Sequence, residues 1–393
     1  MTTSGPGSAI IADPGTTRLI ATVTELAADT YTGRRVGTPG GRAAARWLAD
    51  QLTELGAEVT TQDFPVTGVR ELSATPTLTW ANTRLTHRRD FAEHLASADH
   101  PTERTGTLAT EGEPLQGNWL LTSTPDVATQ ARQEGALGLL IPRGVDSEGW
   151  MPKMIAGPRP LPLPIISVRT DLHEKMQANR GEVTATVPLR TIETTGTNVH
   201  GVLTEPATAD TPSILLTAHY DGVGDDPEQR LPAAGDNASG VAVVLEAARL
   251  LLGTLPTGTG LAVALLDAEE AGARGSAHHA PHLPANTYVI NIDGAAALTE
   301  AASVEAGGPA QALLAALDQA GRTIGVPLRA GAMASDNRRY ATAGLPAIGI
   351  GMGIPGYQTP AETPARVDLT TLETAVRLVV ATVQNLCTTP VFN

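Results

Sequence analysis

The stretch "SILLTAHYD" at residues 213–221 decides the fold, because it is an apolar run of strand length that ends in His219 and Asp221. An amphipathic helical pattern follows in "SGVAVVLEAARLLL" at 239–252, and a second buried strand pattern in "GLAVALLDAEE" at 260–270. Continuous apolar strands that alternate with helices are typical of a mostly parallel sheet covered by helices on both faces. We therefore predict an α/β fold for this part of the chain.

The same alternation continues towards the C-terminus. "TYVINIDG" at 287–294 and "LPAIGIGM" at 345–352 are predicted strands, and "PAQALLAALDQAGRTIG" at 309–325 is a predicted helix between them. "DLTTLETAVRLVVATVQNLC" at 368–387 is the predicted closing helix. The expected architecture has three layers, with a mostly parallel mixed sheet between two layers of helices.

The first half of the chain has a different pattern. Residues 16–66 are predicted to form two helices and a strand, whereas 70–194 contains short apolar runs broken by Gly and Pro. We expect a smaller, β-rich unit in this second segment, and no catalytic residue types gather there. Residues 1–15 are predicted to be a flexible tail.

Composition and charge exclude several classes of function. The chain has 393 residues and a formal net charge of −14, which disfavours nucleic acid as a partner because phosphate binding needs a basic face. Its single cysteine, Cys387, excludes an internal disulfide framework and a thiolate metal cluster. No apolar run approaches the roughly 20 residues that cross a bilayer, and the N-terminus lacks the pattern of a signal peptide. We expect a cytoplasmic protein without a membrane partner, whose oligomeric state the sequence does not predict.

Polar residues follow the predicted strands of the C-terminal half at the points where those strands end. In chain order they are His219, Asp221, Asp236, Glu269, Glu270, Asp293, Tyr357 and Gln358. In parallel sheets, functional residues lie just beyond the carboxyl ends of the strands. So many carboxylates in one cleft would repel one another unless cations were bound, and ligation by His and carboxylates suits zinc. The sequence therefore predicts a site for one or two zinc ions.

Each of these signals has an ordinary explanation when taken alone. Asp236 lies in "AGDNASG", which is also a helix-capping pattern, and the pair Glu269 and Glu270 is typical of a solvated surface. Asp293 precedes a glycine, as in many turns. Their common position at strand ends is what favours a shared site.

Four motifs in this half resemble the zinc aminopeptidases of peptidase family M28: "TAHYDGVG", "AAGDNASGVAVVLEAARLL", "LLDAEEAGARGS" and "YVINIDG". The resemblance covers residues 196–393 in order, and 16–66 resembles the N-terminal helices of the family. Residues 71–194, with "VATQARQEGALGLLI" and "PLPIISV", resemble the protease-associated domain often inserted in these enzymes. The resemblance thus implies a discontinuous catalytic domain at 16–70 and 195–393, with an inserted domain at 71–194.

For the metal site, the resemblance implies two zinc ions bridged by Asp236. His219 and Asp293 would complete the first ion's ligands, and Glu270 would bind the second. The last ligand of the second ion, a histidine in the family, is Gln358 here, in "YQTPAET". A neutral amide is a poorer zinc ligand than imidazole, so the number of bound ions stays open between one and two.

For catalysis, the resemblance implies that Glu269 is a general base acting on a metal-bound water and that Asp221 orients His219. Tyr357 would hydrogen-bond the developing oxyanion. The family's "Arg-Ser-Asp-His" motif is "ASDN" at residues 334–337, so substrate contacts differ there.

Three functions remain open at this stage. The resemblance implies an aminopeptidase-like hydrolase of an amide bond in a small peptide or aminoacyl compound, and the lack of an export signal favours an intracellular, biosynthetic role. A pseudoenzyme that binds a peptide-like ligand or partner is one alternative. The other is an enzyme with one metal ion and non-hydrolytic chemistry on an amine-bearing substrate. Retention of Glu269 and Tyr357 favours catalysis over binding alone.

Overall fold

The computed structural model of the chain describes residues 14–389 and Phe392. The predicted tail at 1–15 lies outside these residues except for Pro14 and Gly15. The backbone N–H of Gly15 donates to Glu246 at 2.7 Å, and the first helix begins at Thr16.

The helices of the described residues alternate with strands through the C-terminal half, as predicted. They are α1 (Thr16–Leu26), α2 (Pro39–Glu54), α3 (Ala128–Gln133), α4 (Thr170–Ala178), α5 (Gly240–Leu251), α6 (Arg274–His279), α7 (Gln311–Ile324), α8 (Asn337–Thr342) and α9 (Leu369–Cys387).

The strands form two sheets. In chain order they are β1 (Glu58–Leu72), β2 (Thr77–Trp80), β3 (Thr83–Arg84), β4 (Phe91–Glu93), β5 (His100–Ala109), β6 (Trp119–Leu121), β7 (Gly138–Arg143), β8 (Ile165–Arg169), β9 (Glu182–Val187), β10 (Leu189–Thr204), β11 (Ser213–His219), β12 (Gly260–Leu266), β13 (Thr287–Ile292), β14 (Ala302–Gly307), β15 (Leu328–Ala330) and β16 (Ala347–Gly351).

The first sheet has the order β1-β10-β12-β11-β13-β16-β14-β15. Its centre is parallel, since β11 pairs in parallel with both β12 and β13, and β13 with β16. β10 is antiparallel to both β1 and β12, and β14 is antiparallel to β16 but parallel to β15. Strand β14, which the sequence pattern did not predict, is short and only partly buried. The mixed sheet and its helices confirm the predicted three-layer α/β fold.

β11 shows why the apolar run predicted the layers. Ile214 and Leu216 pack into the larger core, to which α1, α2, α5, α7 and α9 contribute. Leu215, on the opposite face of the strand, packs into a smaller core with Tyr340 of α8. Because side chains alternate across a strand, burial on both faces requires an uninterrupted apolar sequence.

The second sheet lies entirely within residues 77–187, in the order β3-β2-β9-β5-β6-β7-β8-β4. It has apolar cores of its own, built around residues such as Trp119 and Leu139. The long strands β1 and β10 pair from Glu58 and Val202 to Leu72 and Leu189, so they form a ribbon that leads into this unit and back. Its identity as a protease-associated domain stays a prediction.

A buried group of charges, here called the ion-pair cluster, joins this unit to the loop after β11. Arg88 contacts Asp226 at 2.8 Å and Glu93 at 2.6 Å. The ammonium of Lys153 is 3.1 Å from Asp226, and His87 is 2.9 Å from Glu93. Arg88 and Lys153, which lie in the 71–194 segment, therefore neutralise the carboxylate of Asp226 in the loop after β11.

The described residues were also compared with the expectations about a membrane span and about Cys387. None of their helices combines the length and apolar character needed to cross a membrane. Cys387 is buried near the end of α9 as a free thiol, and burial raises the pKa of this thiol to about 11.

Candidate metal centre

The carboxyl ends of β11 and β13 bring His219 and Asp293 together with Asp236. His219 is the last residue of β11, Asp293 follows the end of β13, and Asp236 lies in the loop before α5. Nε2 of His219 is 3.1 Å from Asp236 Oδ1 and 3.4 Å from Asp293 Oδ1. One potential ligand atom from each of the three lies within 4.8 Å of the others, so they can share one ion.

Asn237 fixes the loop that carries Asp236. Its side-chain oxygen accepts hydrogen bonds from the backbone N–H groups of Gly240 and Gly294, both at 3.0 Å. Its side-chain nitrogen donates to the carbonyl of Ile292 at 2.9 Å. The loop before α5 is therefore tied directly to the end of β13.

Asp221 contacts three parts of the site. Its two carboxylate oxygens accept hydrogen bonds from the backbone N–H groups of Glu269 at 3.0 Å and Glu270 at 3.2 Å. Nδ1 of His219 is 3.5 Å from Asp221 Oδ1. Asp221 thus holds the glutamate loop, while its role in orienting His219 stays a prediction.

Glu270 and Gln358 contact each other across the cavity. The side-chain nitrogen of Gln358 donates to Glu270 Oε2 at 2.6 Å. The remaining oxygens, Oε1 of Glu270 and Oε1 of Gln358, are buried and have no hydrogen-bond partner among the described residues. Unpaired buried acceptors are costly, so this corner can accommodate a cation or a water molecule.

Glu362 links the backbone of Gln358 to that of Asp236. One of its oxygens accepts from the backbone N–H of Asp236 at 2.5 Å, and the other from that of Gln358 at 2.6 Å. The carbonyl of Gln358 accepts from the backbone N–H of Lys153 at 3.0 Å. Burial and the charge of Asp236 raise the pKa of Glu362 to about 8.

The excess of carboxylates perturbs the acid–base chemistry of the site. Burial, reinforced by neighbouring carboxylates, raises the pKa of Glu269 and of Glu270 well above its usual range. Burial likewise raises the pKa of Asp236. For His219, burial alone would lower the pKa, but contacts with Asp221 and other carboxylates raise it well above its ordinary value.

These observations test whether zinc suits the site. His219, Asp236 and Asp293 supply one imidazole and two carboxylates, a ligand set that zinc favours, and a cation would relieve their repulsion. The residues therefore fit one ion. At the second position the side-chain nitrogen of Gln358 donates to Glu270, so only Oε1 of each residue is left as a ligand atom there. Gln358 as a metal ligand stays a prediction.

A cavity of about 820 Å³ opens beside the metal centre. Glu269, Tyr357 and Gln358 line it, as do Met154 and Ala156 of the 71–194 segment. Tyr357 is 42% exposed, and its aromatic ring can reach a ligand in the cavity. The 71–194 segment therefore forms part of the cavity wall, and the two residues that it contributes are apolar rather than catalytic in type.

The sequence did not indicate Arg34, a fully buried residue beneath the site. Its guanidinium donates to the carbonyl oxygens of Leu26, Tyr220, Pro232 and Ala233. Burial lowers the pKa of Arg34 to about 10, although the carboxylates of Glu362 and Asp221 oppose that shift. Arg34 joins the loops that carry His219 and Asp236. The only signal in the sequence is the pair "RR" after Gly33, which is equally typical of a surface.

Comparison with known proteins finds similarity to peptidases in sequence and in fold. Residues 198–383 match the sequence profile of Peptidase family M28. Aminopeptidase YwaD of Bacillus subtilis (strain 168) is 28% identical over 272 residues, which cover 64% of this chain and 54% of that protein. The match therefore spans about half the length of this curated relative.

Solved structures share the fold over almost the whole chain. BSAP, a zinc aminopeptidase from Bacillus subtilis, has a TM-score of 0.72 at 22% identity, with 95% of each chain covered. The glutaminyl cyclase of Fimbriiglobus ruber has a TM-score of 0.54 at 15% identity, covering 97% of this chain and 99% of its own. The site motifs, the fold and the profile match agree that residues 198–383 carry a domain of peptidase family M28.

Proposed function

We propose that the chain is a metal-dependent hydrolase of amide bonds, aminopeptidase-like, that acts on a small peptide or aminoacyl compound. One observation carries the proposal. The carboxylate of Glu269 lines the cavity beside the group of His219, Asp236 and Asp293, and no hydrogen bond within the described residues engages it. A free carboxylate next to a metal-binding group is what hydrolysis requires of a general base.

His219, Asp236 and Asp293 would hold a zinc ion. When bound, zinc supplies Lewis acidity for a substrate carbonyl and makes a water molecule more acidic. His219 and Asp236 are almost fully buried, so their side chains are held in place before any ligand arrives.

Glu269 would move the proton. Its backbone is fixed by the hydrogen bond from Glu269 N–H to Asp221, so the side chain starts from a defined position at the cavity wall. Because burial raises the pKa of Glu269, its carboxylate binds a proton from water more readily than an exposed glutamate does. The same carboxyl group can then donate that proton to the leaving amine.

Tyr357 would stabilise the charge that develops on the substrate oxygen. Its ring lines the cavity on the side of Gln358, and its hydroxyl is a hydrogen-bond donor near neutral pH because burial and nearby carboxylates raise its pKa.

The deciding experiment compares zinc content and turnover in the wild type and in Glu269→Gln. With zinc supplied, the wild type should release the N-terminal amino acid from a dipeptide, and Glu269→Gln should lose at least a hundredfold in kcat while its zinc content is unchanged. Glu54→Gln on α2, an exposed glutamate that does not line the cavity, is the matched control and should keep full turnover. Wild-type activity in Glu269→Gln would remove the proposed base, and failure of the wild type to bind zinc would remove the proposed function.

A second candidate is a non-hydrolytic reaction of an amine-bearing substrate with one bound ion. The pairing of Gln358 with Glu270 favours it, because this pairing occupies one Glu270 oxygen that a second ion would need, and the fold is shared with a glutaminyl cyclase. Product masses separate the two. Hydrolysis adds the mass of one water across the two products, whereas cyclisation with loss of ammonia or an amine adds none.

A further inference from the structure

The cavity beside the metal centre is lined by charges of both signs. Its carboxylates are Asp236, Glu269, Glu270 and Asp293, and its guanidinium groups are Arg338 and Arg339. The carboxylates belong to the metal centre, but the two arginines have no part in holding an ion. In a chain with a net charge of −14, two adjacent cations in a cavity wall call for a separate explanation.

The two arginines project from the outer face of α8. Asn337 and Tyr340 of this short helix are almost fully buried, and Tyr340 packs against the sheet. Arg338 and Arg339, between them in sequence, are exposed on the side that faces the cavity. The burial pattern of the helix therefore fixes which side chains reach the cavity.

The start of α8 is attached to the metal centre. Ser335 is buried, and its hydroxyl accepts a hydrogen bond from Asn291 of β13 at 3.0 Å. The same hydroxyl contacts the carboxylate of Asp293 and helps to lower its pKa. Ser335 and Arg339 line the same cavity, so α8 begins at a side chain that contacts Asp293 and presents Arg339 to the same space.

Arg339 has an unneutralised charge. One of its terminal nitrogens donates to the carbonyl of Gly272 at 2.9 Å, only two residues beyond Glu270. Among the described residues, no carboxylate oxygen lies within 4.0 Å of its guanidinium. Since a guanidinium has five N–H donors, most of them are available to a ligand.

Arg338 is held differently. Its Nε donates to both oxygens of Glu305, at 2.9 and 3.1 Å, and Glu305 also accepts from the backbone N–H of Met333 at 2.7 Å. Glu305 therefore balances the charge of Arg338 and fixes its position. The positive charge left over at this wall is that of Arg339.

We propose that Arg339, supported by Arg338, binds the free C-terminal carboxylate of a di- or tripeptide, so that the site selects short peptides with an unmodified C-terminus. This rests on the proposed amide hydrolysis. A guanidinium recognises a carboxylate through two parallel hydrogen bonds, and the cavity of about 820 Å³ that Arg339 shares with the metal centre has the size of a small-ligand pocket. Met154, Met333 and Ile354 line the same cavity and offer an apolar surface for a side chain.

The test uses leucyl-alanine and leucyl-alanine amide, which differ only in the terminal charge. Leucine release from each is measured for the zinc-loaded wild type, for Arg339→Gln and for Arg274→Gln. Arg274 is an exposed arginine near the same loop that does not line the cavity, so its replacement controls for the loss of one positive charge. The wild type should favour the free acid at least tenfold in kcat/KM. Arg339→Gln should bring that ratio close to one, and Arg274→Gln should leave it unchanged.

Two results would overturn the inference: an equal kcat/KM for both substrates in the wild type, or a ratio in Arg339→Gln that stays at the wild-type value. Equilibrium binding separates this failure from failure of the proposed function. If neither compound is hydrolysed, calorimetric dissociation constants of the two compounds still decide. A tenfold tighter binding of the acid, lost in Arg339→Gln, supports the carboxylate site without hydrolysis, and equal binding refutes it.

Discussion

Two buried groups of charges in this molecule are built in opposite ways. The ion-pair cluster balances the carboxylates of Glu93 and Asp226 with Arg88 and Lys153, all from the chain itself. The candidate metal centre gathers carboxylates around a single histidine, His219, and no arginine or lysine of the described residues lies within 4.0 Å of these carboxylates. The first group is complete as folded, whereas the second carries negative charge that a bound cation would balance.

The pKa shifts of the carboxyl groups differ between the ion-pair cluster and the metal centre for the same reason. Burial alone would raise the pKa of Glu93, but the charges of Arg88 and His87 lower it to about 2. At Glu270 burial acts in the same direction as the neighbouring carboxylates, and its pKa rises well above the usual range. Burial by itself therefore does not distinguish a structural carboxylate from a functional one. The two are distinguished by whether the compensating positive charge comes from the chain itself.

Removing Arg88 from the ion-pair cluster should have the largest effect on the free energy of unfolding. Arg88→Met leaves the carboxylates of Glu93 and Asp226 buried without their main partner, and it should lower the free energy of unfolding by about 3–5 kcal/mol. Denaturant unfolding measures the change. Arg322→Met breaks an exposed pair with Asp318 and should cost only about 0.5 kcal/mol. Similar losses in both variants would show that the cluster is no more important than a surface pair.

Supplying the missing cation to the metal centre should have the next largest effect. Zinc at 100 times its dissociation constant should raise the free energy of unfolding by about 2.7 kcal/mol, since an ion that binds only the folded state stabilises it. A chelator should reverse the gain. Asp293→Asn should lose most of it, whereas Glu269→Gln should keep it, because Glu269 lies outside the group of ligands. An equal gain in Asp293→Asn would place the ion elsewhere.

Acid should weaken the complete group. A carboxylate whose pKa is lowered on folding contributes stability above its unfolded pKa, and this contribution is lost as the pH falls towards the folded value. For Glu93 the window runs from about 4.5 to about 2, and by pH 3 the loss should be about 2 kcal/mol. Unfolding of the metal-free protein at several pH values measures it. The difference in the free energy of unfolding between the wild type and Arg88→Met should become smaller as the pH falls through this window. A constant difference would contradict the conclusion that Arg88 lowers the pKa of Glu93.

Completing the second metal position should have the smallest effect on stability. Gln358→His replaces an amide donor by imidazole, so the zinc content should rise from one ion per chain towards two, with about 1 kcal/mol of added stabilisation at saturating zinc. Gln358→Met, of similar size but without a nitrogen or oxygen, should stay at one ion. Metal analysis of the dialysed proteins decides between them. Two ions already present in the wild type would show that Gln358 moves and binds metal as it stands.

The sequence predicted most of the first metal position for a physical reason. Parallel strands end at one edge of the sheet, so the residues that follow "SILLTA" and "TYVINI" must meet there, and His219 and Asp293 do. Asp236 follows from the same rule because its loop leads into the next helix. Secondary-structure periodicity is sufficient to locate residues of this kind.

The supporting residues could not be predicted in the same way. Arg34 donates to backbone carbonyl groups, and since every residue has such a group, the identity of its partners does not reveal the contact. Lys153 and Asp226 are far apart along the chain and meet only because the β1–β10 ribbon brings the second sheet against the loop after β11. Gln358 was identified, but its pairing with Glu270 depends on a side-chain direction that only the folded loop defines.

Lys153 also determines how far this protein can be divided into modules. Its backbone N–H holds the carbonyl of Gln358, and its ammonium donates to the carbonyl groups of Gly224 and Asp225, both at 2.9 Å. A shortened chain in which a linker replaces 71–194 would lose these bonds together with the Met154 wall of the cavity. The 71–194 segment is therefore part of the frame of the cavity, and exchanging it for that of a related protein should succeed only when the loop at 356–362 is exchanged with it.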